Sequence, residues 1–547
     1  MLGYRFPLDP KGQLDWGCFA SARHERSMMF SKRGARMPIR RKPKMSAQAS
    51  LLPGVRIDKT SNRAVYLQLY AGIKQLILEG VIPAGASIPS PRLVASEFGC
   101  SRHTVATAYD FLIAEGLLSA SHGVGTFVSE LVETALKAAG SNPSAGPTDA
   151  FIRQSQFADI LERGRIDRDE EDPLQIFGAP DAECFPYTLW TKIYASIWSN
   201  PKRELLHVTS AQGYDRLRSA ICTFVHGTRG IRATPEQVLI TSGTTQSVDL
   251  LLRALLNPGD EVWVEDPGRP KAATLVSALG LKRVSVPVDH HGLRVDVAEQ
   301  LAPDAKVALV TPSHHYPTGA TLALERRLHL LAWANRSGAW IFEDDYDGEL
   351  IADGHPILPI YSLGKNDRVI YLGTFSKSIS PQLRLGYIIC HPELARRLVR
   401  LRFYVDYFPS MNLQPVLAEF IEKGHLDSYV RRMRRIYRER QSTFVAAIEA
   451  TADGAFEVFK NAPALFQPLG LRDERIGNND VILAERARKL GIPAFALSSF
   501  SFNVKPRPGI IIGTGRLPLE RIPSAVNRLV QATRDMQNII TAAEESS

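Results

Sequence analysis

The octet GTFSKSIS (373–380) sets a single lysine, Lys377, among small and hydroxylated residues directly after the apolar run 369–372. An amine placed there is a candidate nucleophile toward a carbonyl carbon. Three other stretches carry complementary chemistry. IFEDDYDGEL (341–350) puts carboxylates and a tyrosine after another apolar run, TSGTTQ (241–246) puts hydroxylated residues ahead of a helical stretch, and Arg384 lies seven residues beyond the lysine in PQLRLGY. Small residues at a helix N-terminus form an anion cradle, because unpaired N–H groups and the helix dipole both favour phosphate. A lysine, an acid, a phosphate cradle and an arginine at successive strand ends are what pyridoxal phosphate requires. The amine forms the Schiff base, the carboxylate keeps the pyridine nitrogen protonated, and the donors hold the phosphate.

These groups need a scaffold that gathers strand ends. After residue 170 the chain alternates short apolar runs (238–240, 262–264, 307–310, 340–342, 369–372 and 387–389) with amphipathic helical stretches. That alternation predicts an α/β domain with a mostly parallel, doubly covered sheet, in which sites collect at strand ends. The first run is followed by TSGTTQ and then by Val248, Leu251, Leu252 and Leu255 on one helical face.

A different pattern precedes it. Leu69, Ile73, Leu76 and Ile77 fall on one face of a helix that stops at Gly80 and Pro83. Ser90-Pro91 starts a short second helix to Phe98, and Gly99-Cys100 turns the chain. Ser101 caps a third helix with the stripe Val105, Ala108, Tyr109, Leu112 and Ile113, and residues 117–128 predict a glycine-tipped hairpin. Three helices and a hairpin in this order predict a winged helix-turn-helix, which reads DNA with the second helix of its pair. The predicted division is a basic, disordered extension (1–57), a DNA-binding domain (58–129), a linker (130–165) and the large domain (166–547).

Composition bounds the rest. A chain of 547 residues, 44% hydrophobic and 22% charged, is long enough for two or more cores. It has no apolar run near the roughly 18 residues that cross a bilayer. The five cysteines are scattered, which suits a reducing cytoplasm. Of the net charge of +9, residues 1–50 hold 11 Lys/Arg against 3 Asp/Glu, so the basicity belongs to a tail that includes RGARMPIRRKPK (33–44). Such a tail is either a non-specific DNA-binding arm or a dispensable extension, with Met45 as an alternative start.

The stretch IPSPRLVASEFGCSRHTVATAYDFLIAEGLLSASHGVGTFV (88–128) resembles the GntR class of bacterial repressor domains. By that resemblance Arg92 and Arg102 contact phosphates or bases, Ser101, His103 and Thr104 present polar groups at the start of the reading helix, and His122 and Gly123 form the wing tip. Residues from about 170 to 540 resemble the fold-type I aminotransferases, through the blocks 214–231, 241–251, 257–268, 311–322, 343–350 and 373–387. With both parts present, the chain resembles the MocR group of GntR regulators. The resemblance implies Lys377 as the Schiff-base lysine and Asp344 on the pyridine nitrogen, with Asp345 as the register alternative. It implies Tyr346 on the ring hydroxyl, Thr244, Thr245, Thr374, Ser376 and Arg384 around the phosphate, and a homodimer. No metal site is expected.

Three positions depart from an enzyme. Arg269 follows EDPG, where the family carries an aromatic that stacks on the cofactor. Tyr316 stands where aminotransferases have the asparagine that supports the ring hydroxyl, with His314 and His315 as candidate substitutes. Ile511, flanked by Arg507 and Arg516, stands where they have the arginine that grips the substrate carboxylate. The expected function is a transcriptional regulator of double-stranded operator DNA that binds pyridoxal phosphate as effector or effector-sensing cofactor and responds to a small amine or amino acid. The alternatives are an active aminotransferase with a DNA-binding appendage, and a regulator whose large domain only dimerises.

Overall fold

A computed structural model describes residues 51–121, 124–132, 155–164, 178–207, 210–351, 357–364, 367–477, 479–504 and 507–545. The chain forms two units, divided between Phe151 and Ile152. The basic tail, His122, Gly123 and residues 133–154 of the expected linker lie outside the described residues.

The first unit is built on α1 (Val65–Leu78), α2 (Pro91–Phe98) and α3 (Arg102–Ala114). Leu69, Ile73, Leu76 and Ile77 of α1 meet Val94 of α2 and Val105, Ala108, Tyr109 and Leu112 of α3 in one core. Gly99 closes α2 in the left-handed conformation at φ 59°, which lets the chain turn sharply into α3. The Ser101 hydroxyl accepts the Thr104 N–H at 3.0 Å, capping α3 as expected, whereas Ser90 begins α2 without a side-chain cap. The wing strands β2 (Leu118–Ser121) and β3 (Gly125–Val128) pair antiparallel. β1 (Ser87–Ile88) adds a third strand to β3. Two residues are too short a signal to read in sequence.

The expected boundary at residue 57 is corrected by Leu52, which is buried in this core with Val55 and Ile57 packed around it. The expected linker is also interrupted. Gln156–Arg163 form a helix of the second unit, capped by Ser155, and the Arg253 guanidinium lies 5.5 Å from the Phe157 ring centre.

The second unit contains an eight-stranded sheet of order β4-β11-β10-β9-β8-β5-β6-β7. Its strands are β4 (Val238–Thr241), β5 (Glu261–Asp266), β6 (Lys282–Asp289), β7 (Gly292–Leu293), β8 (Val307–Val310), β9 (Trp340–Asp344), β10 (Val369–Thr374) and β11 (Gly386–Ile389). Pairs β6/β5, β5/β8, β8/β9 and β9/β10 are parallel, while β11 runs antiparallel between β10 and β4. Strands β4, β5, β8, β9 and β10 therefore end on one edge, and β11 begins there. Apolar clusters cover both faces. A smaller antiparallel sheet of order β12-β13-β15-β14 follows, from β12 (Phe456–Val458), β13 (Phe466–Leu471), β14 (Ala494–Ala496) and β15 (Gly509–Gly513). Ile510 and Ile512 of β15 enter the small-sheet core, and Ile511 faces the main core with Phe466 and Tyr346, as period-two alternation requires.

Candidate functional site

The strand ends assemble the groups read from sequence. After β4 the chain passes through Gly243, at φ 124°, into the helix Thr244–Leu255. Only glycine takes that backbone angle without strain, and the turn aims the first helical N–H groups along the sheet edge. Thr244 is buried and Thr245 exposed. Arg384, exposed and left-handed at φ 48°, reaches the same corner: a Cβ placed on Gly243 would lie 3.9 Å from its Nη1. From the end of β10, Thr374 accepts the Ser376 N–H at 3.2 Å, which folds the lysine loop back over the edge.

Lys377 leaves this loop, and its ammonium donates to the Gly178 carbonyl at 2.9 Å. Burial, then the nearby Arg269 charge, pushes the amine down to about 7, with Asp347 pulling the other way and Lys271 adding to the shift. A lysine so placed carries a large neutral, nucleophilic fraction near neutral pH.

The two neighbouring aspartates diverge. Asp345 forms an ion pair with Arg229, Nε to Oδ2 2.7 Å, and accepts from the Tyr371 hydroxyl at 2.7 Å, in a fully buried cluster. Burial works against the Arg229 charge, but Asp345, Tyr371 and Glu343 more than offset it and hold the guanidinium above its ordinary range. Asp344 turns to Arg269 instead. Its Oδ2 pairs with Arg269 Nη1, whose other amine donates to Thr244 Oγ1 at 3.3 Å. Its Oδ1 is buried with no partner, and so is the Tyr346 hydroxyl oxygen. A buried polar atom without a partner is costly and calls for one. A protonated ring nitrogen suits Oδ1 and a ring hydroxyl suits Tyr346, so these residues fit pyridoxal phosphate.

The departures are also in place. Tyr316 meets Tyr346 edge-on at 5.6 Å between ring centres. His315 has both ring nitrogens engaged, by the Pro267 carbonyl at 2.9 Å and Thr318 Oγ1 at 2.7 Å, and burial pushes it down to about 3. His314 pairs with Asp347 at 3.0 Å. Neither histidine takes the expected asparagine's place beside Tyr346. Ile511 is fully buried, Arg507 pairs with Glu457 at 2.5 Å at the surface, and Arg516 is half-buried. Sequence reasoning missed Gly178 and Arg229. The latter is the last residue of the helix Asp215–Arg229, and its position within the block 214–231 was the available signal.

In the first unit Arg92, Ser101, Arg102 and His103 are exposed, and Thr104 is half-buried with its hydroxyl 2.8 Å from that of Ser101. Ser101 and Thr104 are thus tied to the cap, leaving Arg102 and His103 as the free polar side chains at the α3 N-terminus.

Two family models match this arrangement: bacterial regulatory proteins of the gntR family over residues 65–128, and aminotransferase class I and II over residues 194–507. The decisive likeness spans both. The probable rhizopine catabolism regulatory protein MocR of Rhizobium meliloti is 33% identical over 477 residues, covering 87% of this chain and 95% of that protein. The chain belongs to the MocR group of GntR-type transcriptional regulators. The pyridoxine biosynthesis transcriptional regulator PdxR of Corynebacterium glutamicum is 33% identical to this MocR-type chain over 377 residues, 69% of this chain and 77% of that protein. Among solved structures, the multiple substrate aminotransferase of Thermococcus profundus aligns with a TM-score of 0.61 at 25% identity, covering 72% of this chain and 98% of its own. The MocR-type architecture, a helix-turn-helix domain joined to a fold-type I aminotransferase domain, is therefore shared along most of the chain. Among the described residues no helix is long and apolar enough to cross a membrane, and no cluster could hold a metal ion.

Proposed function

We propose that this MocR-type regulator binds operator DNA as a homodimer in the cytoplasm and takes pyridoxal phosphate as its effector, or as the cofactor through which it senses a small amine or amino acid. The observation that carries the reading is the pair of buried, partnerless oxygens, Asp344 Oδ1 and Tyr346 Oη, beside a lysine whose amine is pushed down to about 7. When bound, pyridoxal phosphate supplies an aldehyde that captures amines and a ring that accepts electrons. Lys377 presents its amine, Asp344 and Tyr346 orient the ring end, and Thr244, Thr245, Thr374, Ser376 and Arg384 hold the phosphate. The names MocR and PdxR, one for rhizopine catabolism and one for pyridoxine biosynthesis, support a regulator over a metabolic enzyme. Ile511 supports it too, because an apolar side chain cannot grip a substrate carboxylate. An exposed run of Phe403, Tyr404, Val405 and Tyr407, with Tyr404 86% exposed, supports a self-association surface.

The test is covalent trapping. Borohydride reduction in the presence of pyridoxal phosphate is expected to add one cofactor mass to the peptide holding Lys377, and none in Lys377→Ala. Equal labelling of both proteins, or labelling spread over surface lysines, would remove the cofactor role.

A further inference from the structure

Arg269 spans the ground that the cofactor ring needs. One amine of its guanidinium is on Asp344 Oδ2, the other donates to Thr244 Oγ1 at 3.3 Å, and its centre lies 5.7 Å from the Tyr316 ring centre. It therefore reaches from the carboxylate that suits the ring nitrogen to the first threonine of the phosphate cradle. The ion pair is largely shielded from water, with Asp344 3% exposed and Arg269 26% exposed. Screening by salt does little to weaken such a pair.

We propose that Arg269 is an internal competitor for the cofactor: its ion pair on Asp344 Oδ2 offsets the carboxylate charge that the free Oδ1 offers a pyridine nitrogen, so full use of that charge requires the pair to open. This rests on the pyridoxal phosphate reading above and deepens it. A binding site that is free of its internal partner only part of the time has its apparent affinity reduced by that fraction. The consequence is a cofactor that exchanges with its surroundings and reports its own concentration, instead of one held permanently. An aromatic side chain at this position has no charge to offer Asp344 and imposes no such competition.

Titration of the full chain with pyridoxal phosphate, followed by quenching of protein fluorescence at about pH 9 so that the Lys377 amine is neutral in every variant, tests the proposal. Arg269→Gln is expected to lower the dissociation constant about tenfold, as release of a nine-tenths occupied competitor would. Arg269→Met, which keeps the alkyl stem without the charge, should do the same. In an Asp344→Asn background the Arg269 substitution should give no gain, because nothing is left to compete for. An unchanged affinity in both Arg269 variants, with wild-type binding intact and abolished by Lys377→Ala, would overturn the competitor role, and a weaker one would overturn it and make Arg269 a ligand of the cofactor. If the wild type itself shows no saturable binding, or Lys377→Ala binds equally well, the cofactor reading falls and the competitor with it.

Discussion

Lys377 is half-buried, and the charges acting on it are Arg269 and Lys271, which disfavour its proton, and Asp347, which favours it. Only the neutral amine attacks an aldehyde, so the rate of cofactor capture should follow deprotonation. Below about 7 the amine is mostly ammonium and capture slows about tenfold per pH unit; above it the rate reaches a plateau. Stopped-flow mixing with pyridoxal phosphate across this range checks the midpoint. Removing the Arg269 charge should move that midpoint upward, so that Arg269→Gln captures more slowly at neutral pH although it binds more tightly at high pH. A midpoint near the ordinary lysine range in the wild type would contradict the burial argument. That Lys377 and Asp344 would lie at strand ends was legible because each closes or follows an apolar run that forms a strand. The partner of Arg269 was not legible, since a stacking role and an ion pair call for the same residue in sequence.

At the scale of elements, the strand end of β9 separates two adjacent aspartates by the alternation of the backbone. Asp344 pairs with Arg269, and Asp345 anchors the helix Asp215–Arg229 to the sheet through Arg229. Both members of the latter pair are almost fully buried, at 2% and 0% side-chain exposure. Removing one partner leaves the other charge stranded, so Arg229→Met should destabilise the second unit by about 3–5 kcal/mol in urea unfolding. A loss under about 1 kcal/mol would show the pair to be dispensable. The six apolar runs read from sequence all became strands of the large sheet because each is buried on both faces and therefore continuous in hydrophobicity. The strand β6, second from the edge and reading KRVSVPVD, mixes polar and apolar residues and gave a weaker signal. The tiny β1 and the helix Gln156–Arg163 were hidden for other reasons. β1 owes its conformation to pairing with β3, whereas the helix carries local signals, the Ser155 cap among them, within the segment expected to be a linker.

Over the whole molecule, the helix-turn-helix unit and the aminotransferase unit must act together for a cofactor to regulate DNA. Their two-part order was plain from the change of hydrophobic period along the chain, but the first unit begins earlier than composition indicated, because Leu52 fills its core. A charge placed in the exposed aromatic run, Tyr404→Glu, is expected to shift the chain from dimer toward monomer in analytical ultracentrifugation and to weaken operator binding in parallel. Unchanged sedimentation would locate the self-association surface elsewhere. Arg102→Ala is expected to weaken operator binding while leaving folding intact, as the side chain is exposed at the start of α3. A coupling between effector and DNA is a difference in affinity for two arrangements of the protein, and it is reciprocal. Fluorescence anisotropy of the duplex adjoining its own gene, titrated with the full chain with and without pyridoxal phosphate, measures that coupling directly. A change in DNA affinity of at least about fivefold that disappears in Lys377→Ala is expected; identical affinity in the presence and absence of pyridoxal phosphate would contradict a regulatory role for the cofactor.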